Sequence, residues 1–291
     1  MKFVTFIDAA QTELVGVVHN DAIHPLGKLG FSYPDMLSLI ADYTPETGKA
    51  IAAKAATAGT GIPVAEAKLQ APIPRPRHDI LCIGQNYLLH ALEAARYKGV
   101  EYVKPDHPTY FSKRVGLPVG HGGFIPAHRD ATSKLDYESE LAVVIGKRMD
   151  HVAPDKVFDY IFGYTIVNDV SARDRQNNHA QYTFGKGMDG FAPMGPWIVT
   201  IDEFKSPPHL QIKTRVNGEE RQNSNTNDFI FDLPYLLSEL SLGMALEPGD
   251  ILITGTPSGV GMGFNPPKFI GPGDVVECEI EGIGVLRNTV Q

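Results

Sequence analysis

Short apolar segments recur along the chain between turns rich in glycine and proline. Their alternating or continuous hydrophobicity predicts strands at residues 2–7, 13–19, 79–83, 109–112, 141–145, 160–168, 197–200, 210–216, 251–254 and 275–280. Apolar residues at helical spacing are fewer and predict helices at residues 33–41, 44–58, 88–96 and 233–241. Because strands outnumber helices, the pattern predicts a β-rich α+β fold of the sandwich or roll type.

The pattern also divides the chain into two units. Residues 71–77 contain three prolines, which hold the backbone extended and mark a connector. We therefore predict a small N-terminal α/β domain over residues 1–70 and a larger catalytic domain over residues 71–291.

Composition narrows the class of protein. The formal net charge of −8 argues against a nucleic-acid surface. No apolar run approaches the roughly 20 residues that a membrane helix needs, so we expect a soluble, cytoplasmic protein. Cys82 and Cys278 lie in apolar runs without a CxxC partner, which predicts two buried, reduced thiols and no zinc or redox motif.

An acidic pair opens the apolar run at residues 141–145. Glu138 and Glu140 are two residues apart, so in a strand they share one face. Two carboxylates entering a hydrophobic segment are costly unless they are paired, protonated or bound to a metal, and a hard cation between them would keep both charged at the least cost. Asp169, at the end of the next strand, completes a set of oxygen ligands that suits Mg²⁺, Mn²⁺ or Ca²⁺ rather than Zn²⁺. The alternative is a pair of exposed acids on an edge strand.

Two further segments could contribute chemistry. His90 and Glu93 share a helix face, where a carboxylate orients an imidazole as a general base; an ordinary surface pair is the alternative. Lys186 lies among glycines and could stabilise an enolate oxygen, or be a solvated turn lysine.

The segment 254–263 lacks the helix that dinucleotide binding requires, but its small residues, including Gly255, could cradle a carboxylate.

Taken together, these segments resemble the fumarylacetoacetate hydrolase family. The similarity extends over roughly residues 72–291, in family order, and rests on residues 83–93, 135–141, 168–174, 185–191, 254–257 and 272–288. It implies a mixed β-sandwich roll, usually a homodimer, with a Mg²⁺ or Mn²⁺ site. The first 70 residues fit the small variable N-terminal domain of many members.

The resemblance also assigns roles to individual residues. It implies that Glu138, Glu140 and Asp169 bind the metal, and that His90 and Glu93 activate water on a segment that closes over the substrate. Lys186 would contact the substrate oxygen or enolate. Substrate oxygens would be held by Arg173, Gln176, Gly255 and Thr256. Residues 112–117 depart from the common family pattern.

The resemblance implies that the partner of the protein is a small 2-oxo acid, which is its substrate. The first hypothesis is hydrolysis of the C3–C4 bond of a 2,4-dioxo acid such as an acylpyruvate or fumarylpyruvate, leaving a pyruvate enolate. On the same site, the alternatives are oxaloacetate decarboxylation and 2-hydroxyhepta-2,4-diene-1,7-dioate isomerisation or hydration. A non-enzymatic ligand-binding relative would be expected to lack part of the acid triad or the His–Glu pair, and both are present.

Overall fold

The structure, a computed structural model, describes residues 1–179 and 181–291. Its strands are β1 (Lys2–Ile7), β2 (Glu13–His19), β3 (Ala22–Pro25), β4 (Ile62–Pro63), β5 (Lys68–Leu69), β6 (Ile80–Gly84), β7 (Thr109–Lys113), β8 (Phe124–Ile125), β9 (Leu135–Asp136), β10 (Ser139–Ile145), β11 (Ile161–Asn168), β12 (Ser171–Ala172), β13 (Met194–Thr200), β14 (Gln211–Val216), β15 (Glu219–Asn225), β16 (Ile251–Ile253), β17 (Val275–Ile280) and β18 (Gly284–Val290). Its α-helices are α1 (Met36–Asp42), α2 (Pro45–Thr57), α3 (Leu88–Lys98), α4 (Arg173–Asn178), α5 (Thr183–Lys186) and α6 (Leu233–Ser241).

Most strands belong to one of two sheets. The large sheet has the order β4-β3-β2-β1-β13-β11-β10-β16-β6-β7, with β5 paired to β1. The second sheet has the order β15-β14-β17-β18-β8, and β9 and β12 form a small separate pair. The strand-rich architecture confirms the predicted β-rich α+β fold.

Alternation along β10 explains how the layers pack. Leu141 and Val143 point into a core shared with the second sheet, while Ala142 and Val144 point into a core on the opposite face. Helices α1 and α2 contribute to that opposite core, which makes the centre of the large sheet a buried middle layer. Strand β10 is consequently buried along its whole length.

Several boundaries differ from the prediction for local reasons. Helix α1 begins at Met36 rather than at residue 33, because the Asp35 carboxylate accepts from Ser38 N at 2.8 Å and caps the helix. Helix α3 extends two residues past the prediction and ends where Gly99 adopts φ 69°. Strand β15 was not predicted because its sequence is polar.

The N-terminal segment joins the large sheet directly. Strand β1 pairs antiparallel with β13, with Lys2 opposite Val199 and Phe3 opposite Ile198. The sheet therefore runs without interruption across the predicted boundary near residue 71, and the division into two domains stays a prediction.

Two other sequence expectations concern thiols and membranes. Both cysteines are buried and free, as predicted, and burial raises the pKa of the Cys278 thiol to about 12. Within the described residues, no helix is both long and apolar enough to cross a membrane.

Candidate metal and active site

The ends of two central strands bring three carboxylates together. Ser139 at the start of β10 pairs with Asn168 at the end of β11, so Glu138 and Asp169 lie side by side, and Asp169 N donates to Glu138 O at 2.8 Å. One oxygen from each of Glu138, Glu140 and Asp169 lies within 4.8 Å of the others. All three side chains are buried, so the alternative of exposed acids on an edge strand is wrong.

Two buried lysines surround this triad. Lys186, at the end of α5, donates to Glu138 Oε2 at 2.7 Å and also to Asp169 Oδ2. Lys113, at the end of β7, places Nζ 2.8 Å from Asp169 Oδ1 and donates to Val170 O at 3.0 Å. Lys186 is therefore not a solvated turn lysine. Both ammonium groups compensate the charge of Asp169, which is fully buried.

Arg173 ties the triad to a fourth acid, Asp136. Its Nε donates to Asp136 Oδ2 at 2.8 Å, and its Nη2 lies 2.7 Å from Glu138 Oε1. Asp136 also accepts from Gly261 N at 2.6 Å and from Met262 N at 3.0 Å. Asp136 therefore fixes the guanidinium and also holds the loop around residue 261.

The charges of this cluster do not cancel. Four acids, Asp136, Glu138, Glu140 and Asp169, face three bases, Lys113, Arg173 and Lys186, which leaves one negative charge in excess.

Without a bound cation, Glu140 is the acid of this cluster that most readily keeps its proton. Burial, followed by the charges of Asp169 and Glu138, raises the pKa of Glu140 well above its ordinary value. Burial would also raise the pKa of Glu138, but Lys186 and Arg173 outweigh it and lower that pKa. Of the three carboxylates, Glu140 alone makes no ion pair within the described residues.

The donor set fits a hard divalent cation. All three donors are carboxylate oxygens, their combined charge is only partly compensated, and Asp169 Oδ1 has no aligned hydrogen-bond donor among the described residues despite its ion pair with Lys113. Oxygen ligands with excess negative charge are what Mg²⁺ and Mn²⁺ bind. The residues therefore match the predicted metal, and the identity of the ion stays a proposal.

Helix α3 closes over the triad. His90 and Glu93 are only 5% and 8% exposed, so they are not a surface pair, and His90 Nδ1 lies 3.2 Å from Glu93 Oε2. The other oxygen of Glu93 accepts from Gly259 N at 3.0 Å. Arg96, one turn further on, donates to Gly263 O at 2.9 Å. The helix is thus held against the loop at residues 259–263.

Comparison with known proteins agrees with this arrangement. Residues 79–291 match the family profile described as fumarylacetoacetate (FAA) hydrolase C-terminal. The chain belongs to the fumarylacetoacetate hydrolase family. It is therefore an enzyme of that family.

Three members of the family illustrate the similarity. Oxaloacetate tautomerase YisK of Bacillus subtilis is 48% identical over 227 residues, covering 78% of this chain and 74% of its own. A fumarylacetoacetate hydrolase from psychrophilic Exiguobacterium antarcticum is 34% identical, with TM-score 0.81 and coverage of 100% and 99%. Maleylpyruvate hydrolase from Sphingobium sp. SYK-6, solved with manganese(II) and pyruvate, is 30% identical, with TM-score 0.78 and coverage of 100% and 98%.

In this member of the family, a cavity of about 40 Å³ separates helix α3 from the triad. The predicted site residues that line it are His90, Glu138, Glu140, Asp169, Arg173, Gln176, Lys186 and Thr256. Gln176 Oε1 accepts from Arg173, while its amide nitrogen makes no hydrogen bond within the described residues and is available to a ligand. Helix α3 contributes His90, Ala94 and Lys98 to the wall of this cavity.

Two predicted substrate contacts have structural partners instead. The Gly255 amide donates to Glu140 Oε2 at 2.6 Å, in a backbone conformation with φ +93° that favours glycine. The Thr256 hydroxyl donates to Ser139 O at 2.9 Å, although the residue still lines the cavity. The Gly255 amide therefore positions a proposed metal ligand, and a contact of this residue with the substrate stays a prediction.

Sequence reasoning missed Lys113 and Asp136 as parts of the site. Lys113 lies within residues 112–117, the segment that departs from the family pattern, and only the pairing of β7 with β6 brings it inward. Asp136 sits in the same acidic segment as Glu138, but its partners are backbone amides 125 and 126 residues away. An acidic residue in an apolar context was the one available signal for Asp136.

Gly263 provides a test of how helix α3 docks. A Cβ atom at this position would lie 1.8 Å from Glu93 Oε1, so Gly263→Ala should displace the Glu93 carboxylate and with it His90. We expect a loss of turnover on the order of 10²-fold from this misplacement. Amide hydrogen exchange of α3 should become faster. Gly271→Ala is the matched control, because nothing lies within 4 Å of its Cβ; equal effects of the two variants would contradict the docking.

Proposed function

We propose that the protein is a divalent-metal-dependent enzyme that enolises small 2-oxo acids, with keto–enol tautomerisation of oxaloacetate as its reaction. One observation carries the proposal: a buried histidine, His90, shares a cavity of about 40 Å³ with three carboxylates suited to a hard cation. The 48% identity to a protein named oxaloacetate tautomerase supports the same reaction.

Glu138, Glu140 and Asp169 would hold the cation. A divalent ion bound there would act as a Lewis acid on the 2-oxo group and make the C3 protons of the substrate more acidic. Lys186, bonded to Glu138 and Asp169, would place positive charge near the oxygen that becomes negative.

His90 would carry the proton. Its Nδ1 faces Glu93, which leaves Nε2 to accept a proton from C3, and the carboxylate stabilises the imidazolium that forms. The same nitrogen then returns the proton to the 2-oxo oxygen, so the enol forms without any net change in atoms or charge. Gln176 can donate its free amide to a substrate oxygen.

Hydrolysis of a C–C bond is the second candidate. The His90–Glu93 pair could take a proton from water instead of from C3; hydroxide would then add to the 4-carbonyl and the C3–C4 bond would break. The structural similarity to maleylpyruvate hydrolase over the whole chain supports this reaction.

An assay separates the two reactions. The purified protein, supplied with Mg²⁺ or Mn²⁺, is given the enol form of oxaloacetate, and the loss of enol absorbance is followed together with pyruvate release from acetylpyruvate and fumarylpyruvate. Tautomerisation predicts rapid, metal-dependent ketonisation without pyruvate release. Pyruvate release from either acylpyruvate, with no acceleration of ketonisation, would refute tautomerisation and favour hydrolysis.

A further inference from the structure

Helix α3 brings a residue with no assigned role to the cavity. His90, Ala94 and Lys98 are spaced by four residues, so they lie on one face of the helix, and all three line the cavity. Lys98 is exposed and makes no hydrogen bond or ion pair with any described residue. The face of α3 that carries the proposed base therefore also presents an unpaired ammonium group.

The helix geometry places this ammonium beyond the reacting carbon. At a rise of 1.5 Å per residue, the backbone of Lys98 lies about 12 Å along the axis from that of His90. Helical side chains lean toward the N-terminus, which directs the long Lys98 side chain toward the turn that holds Ala94. Ala94 is buried against Val260 and Met262 and lines the cavity between Lys98 and His90.

The other cations of the cavity are already neutralised. Arg173 is paired with Asp136 and Glu138, and Lys186 with Glu138 and Asp169. Among the arginines and lysines that line the cavity in the described part of the chain, Lys98 alone has no acidic partner. A second substrate carboxylate entering this cavity would be costly without a cation beside it.

We propose that Lys98 binds the second carboxylate of a dicarboxylic 2-oxo acid and thereby makes the enzyme select dicarboxylic over monocarboxylic substrates. The inference rests on the proposed function, and specifies its substrate class. The C1 carboxylate and 2-oxo oxygen face the triad below His90, and the remote carboxylate lies under Lys98. Because Lys98 sits at the end of α3, this contact also favours the closed position of the helix.

Two acids of equal length test the proposal. Oxaloacetate and 2-oxobutanoate differ only in that a methyl group replaces the second carboxylate. Lys98→Met retains the apolar stem and removes the charge, whereas Lys98→Arg retains the charge. Lys104→Met is the matched control, since Lys104 is an exposed lysine outside the cavity.

The readouts are binding by calorimetry in the presence of Mn²⁺ and C3 deuterium exchange by NMR. For Lys98→Met we expect about a tenfold loss of affinity for oxaloacetate, which is the effect of losing one charge-assisted hydrogen bond. The KM for oxaloacetate should rise by the same factor, and kcat should be nearly unchanged. Binding and exchange of 2-oxobutanoate should not change. Lys98→Arg should retain most of the affinity for oxaloacetate, and Lys104→Met should resemble the natural protein.

Three outcomes would overturn the proposal: an unchanged affinity of Lys98→Met for oxaloacetate, an equal loss for both acids, or an equal loss in Lys104→Met. A natural protein that binds both acids but exchanges the C3 protons of neither would refute the proposed function instead. The calorimetric comparison would still decide the role of Lys98 in that case.

Discussion

Replacing Glu140 with glutamine is expected to stabilise the metal-free protein and to remove its affinity for Mg²⁺ and Mn²⁺. Glu140 is buried beside Asp169 and Glu138 and has no cationic partner of its own among the described residues. Glutamine has the same size, carries no charge, and its oxygen can still accept from Gly255 N. At pH 8 in the presence of a chelator, we expect the free energy of unfolding to rise by about 1–3 kcal/mol, as measured by urea unfolding. Calorimetry with Mn²⁺ tests the loss of affinity.

The stability that Glu140→Gln gains over the natural protein should increase with pH. Above the ordinary pKa of 4.5, Glu140 in the unfolded chain has lost its proton, whereas the raised pKa keeps that proton on the folded protein. The stability of the metal-free natural protein therefore falls as pH rises from 4.5 toward the raised pKa. Glu140→Gln lacks this loss, so the difference between the two proteins should be small near pH 4 and larger at pH 8.

Asp169→Asn is the matched comparison, because it should lower the stability of the metal-free protein where Glu140→Gln raises it. This change leaves Lys113 and Lys186, both buried, without a shared counter-charge, and should destabilise the metal-free protein by about 3–5 kcal/mol. Both variants should lose Mn²⁺ binding. Equal destabilisation by the two changes, or Mn²⁺ affinity retained in both, would refute the assignment of the triad.

Replacing His90 with glutamine should lower kcat by about 10²–10⁴-fold, the usual contribution of a positioned general base. His90 makes none of the contacts with the loop that hold α3 in place, and it is not part of the acid triad. Mn²⁺ affinity and amide exchange of α3 should therefore stay close to those of the natural protein. Steady-state kinetics, calorimetry and hydrogen exchange measure the three quantities separately.

Glu93→Ala separates the role of His90 as the proposed base from the role of Glu93 in orienting it. Removing this carboxylate takes the partner from His90 Nδ1 and the acceptor from Gly259 N together. Turnover should fall as in His90→Gln, but amide exchange of α3 should also become faster. Full activity in His90→Gln, or unchanged exchange in Glu93→Ala, would be incompatible with the proposed roles.

The acid triad was the most predictable part of the site, because its signals are local. A two-residue spacing placed Glu138 and Glu140 on one face of a strand, and the end of an apolar run located Asp169. The central strands were predictable for the same reason, since their hydrophobic residues form uninterrupted runs.

The remaining parts depend on contacts between distant segments. Lys113 becomes part of the site only through the register of β7 against β6, and Asp136 through amides near residue 261. Gly255 offered a free amide in the sequence, but the fold gives that amide to Glu140. Strand β15 carries mostly polar side chains, so no hydrophobic pattern marks it. Such pairings are properties of the tertiary structure and leave little trace in a short window of sequence.

The double use of Glu93 links the loop at residues 259–263 to the surroundings of the proposed base. One carboxylate lies beside His90 Nδ1 and also accepts from Gly259 N. A movement of α3 away from the loop would therefore remove the amide from this carboxylate, while His90 and Glu93, which share the helix, would move together. The proposed base would then keep its neighbour but meet it in a changed electrostatic environment, so the position of the loop would tune the basicity of the imidazole.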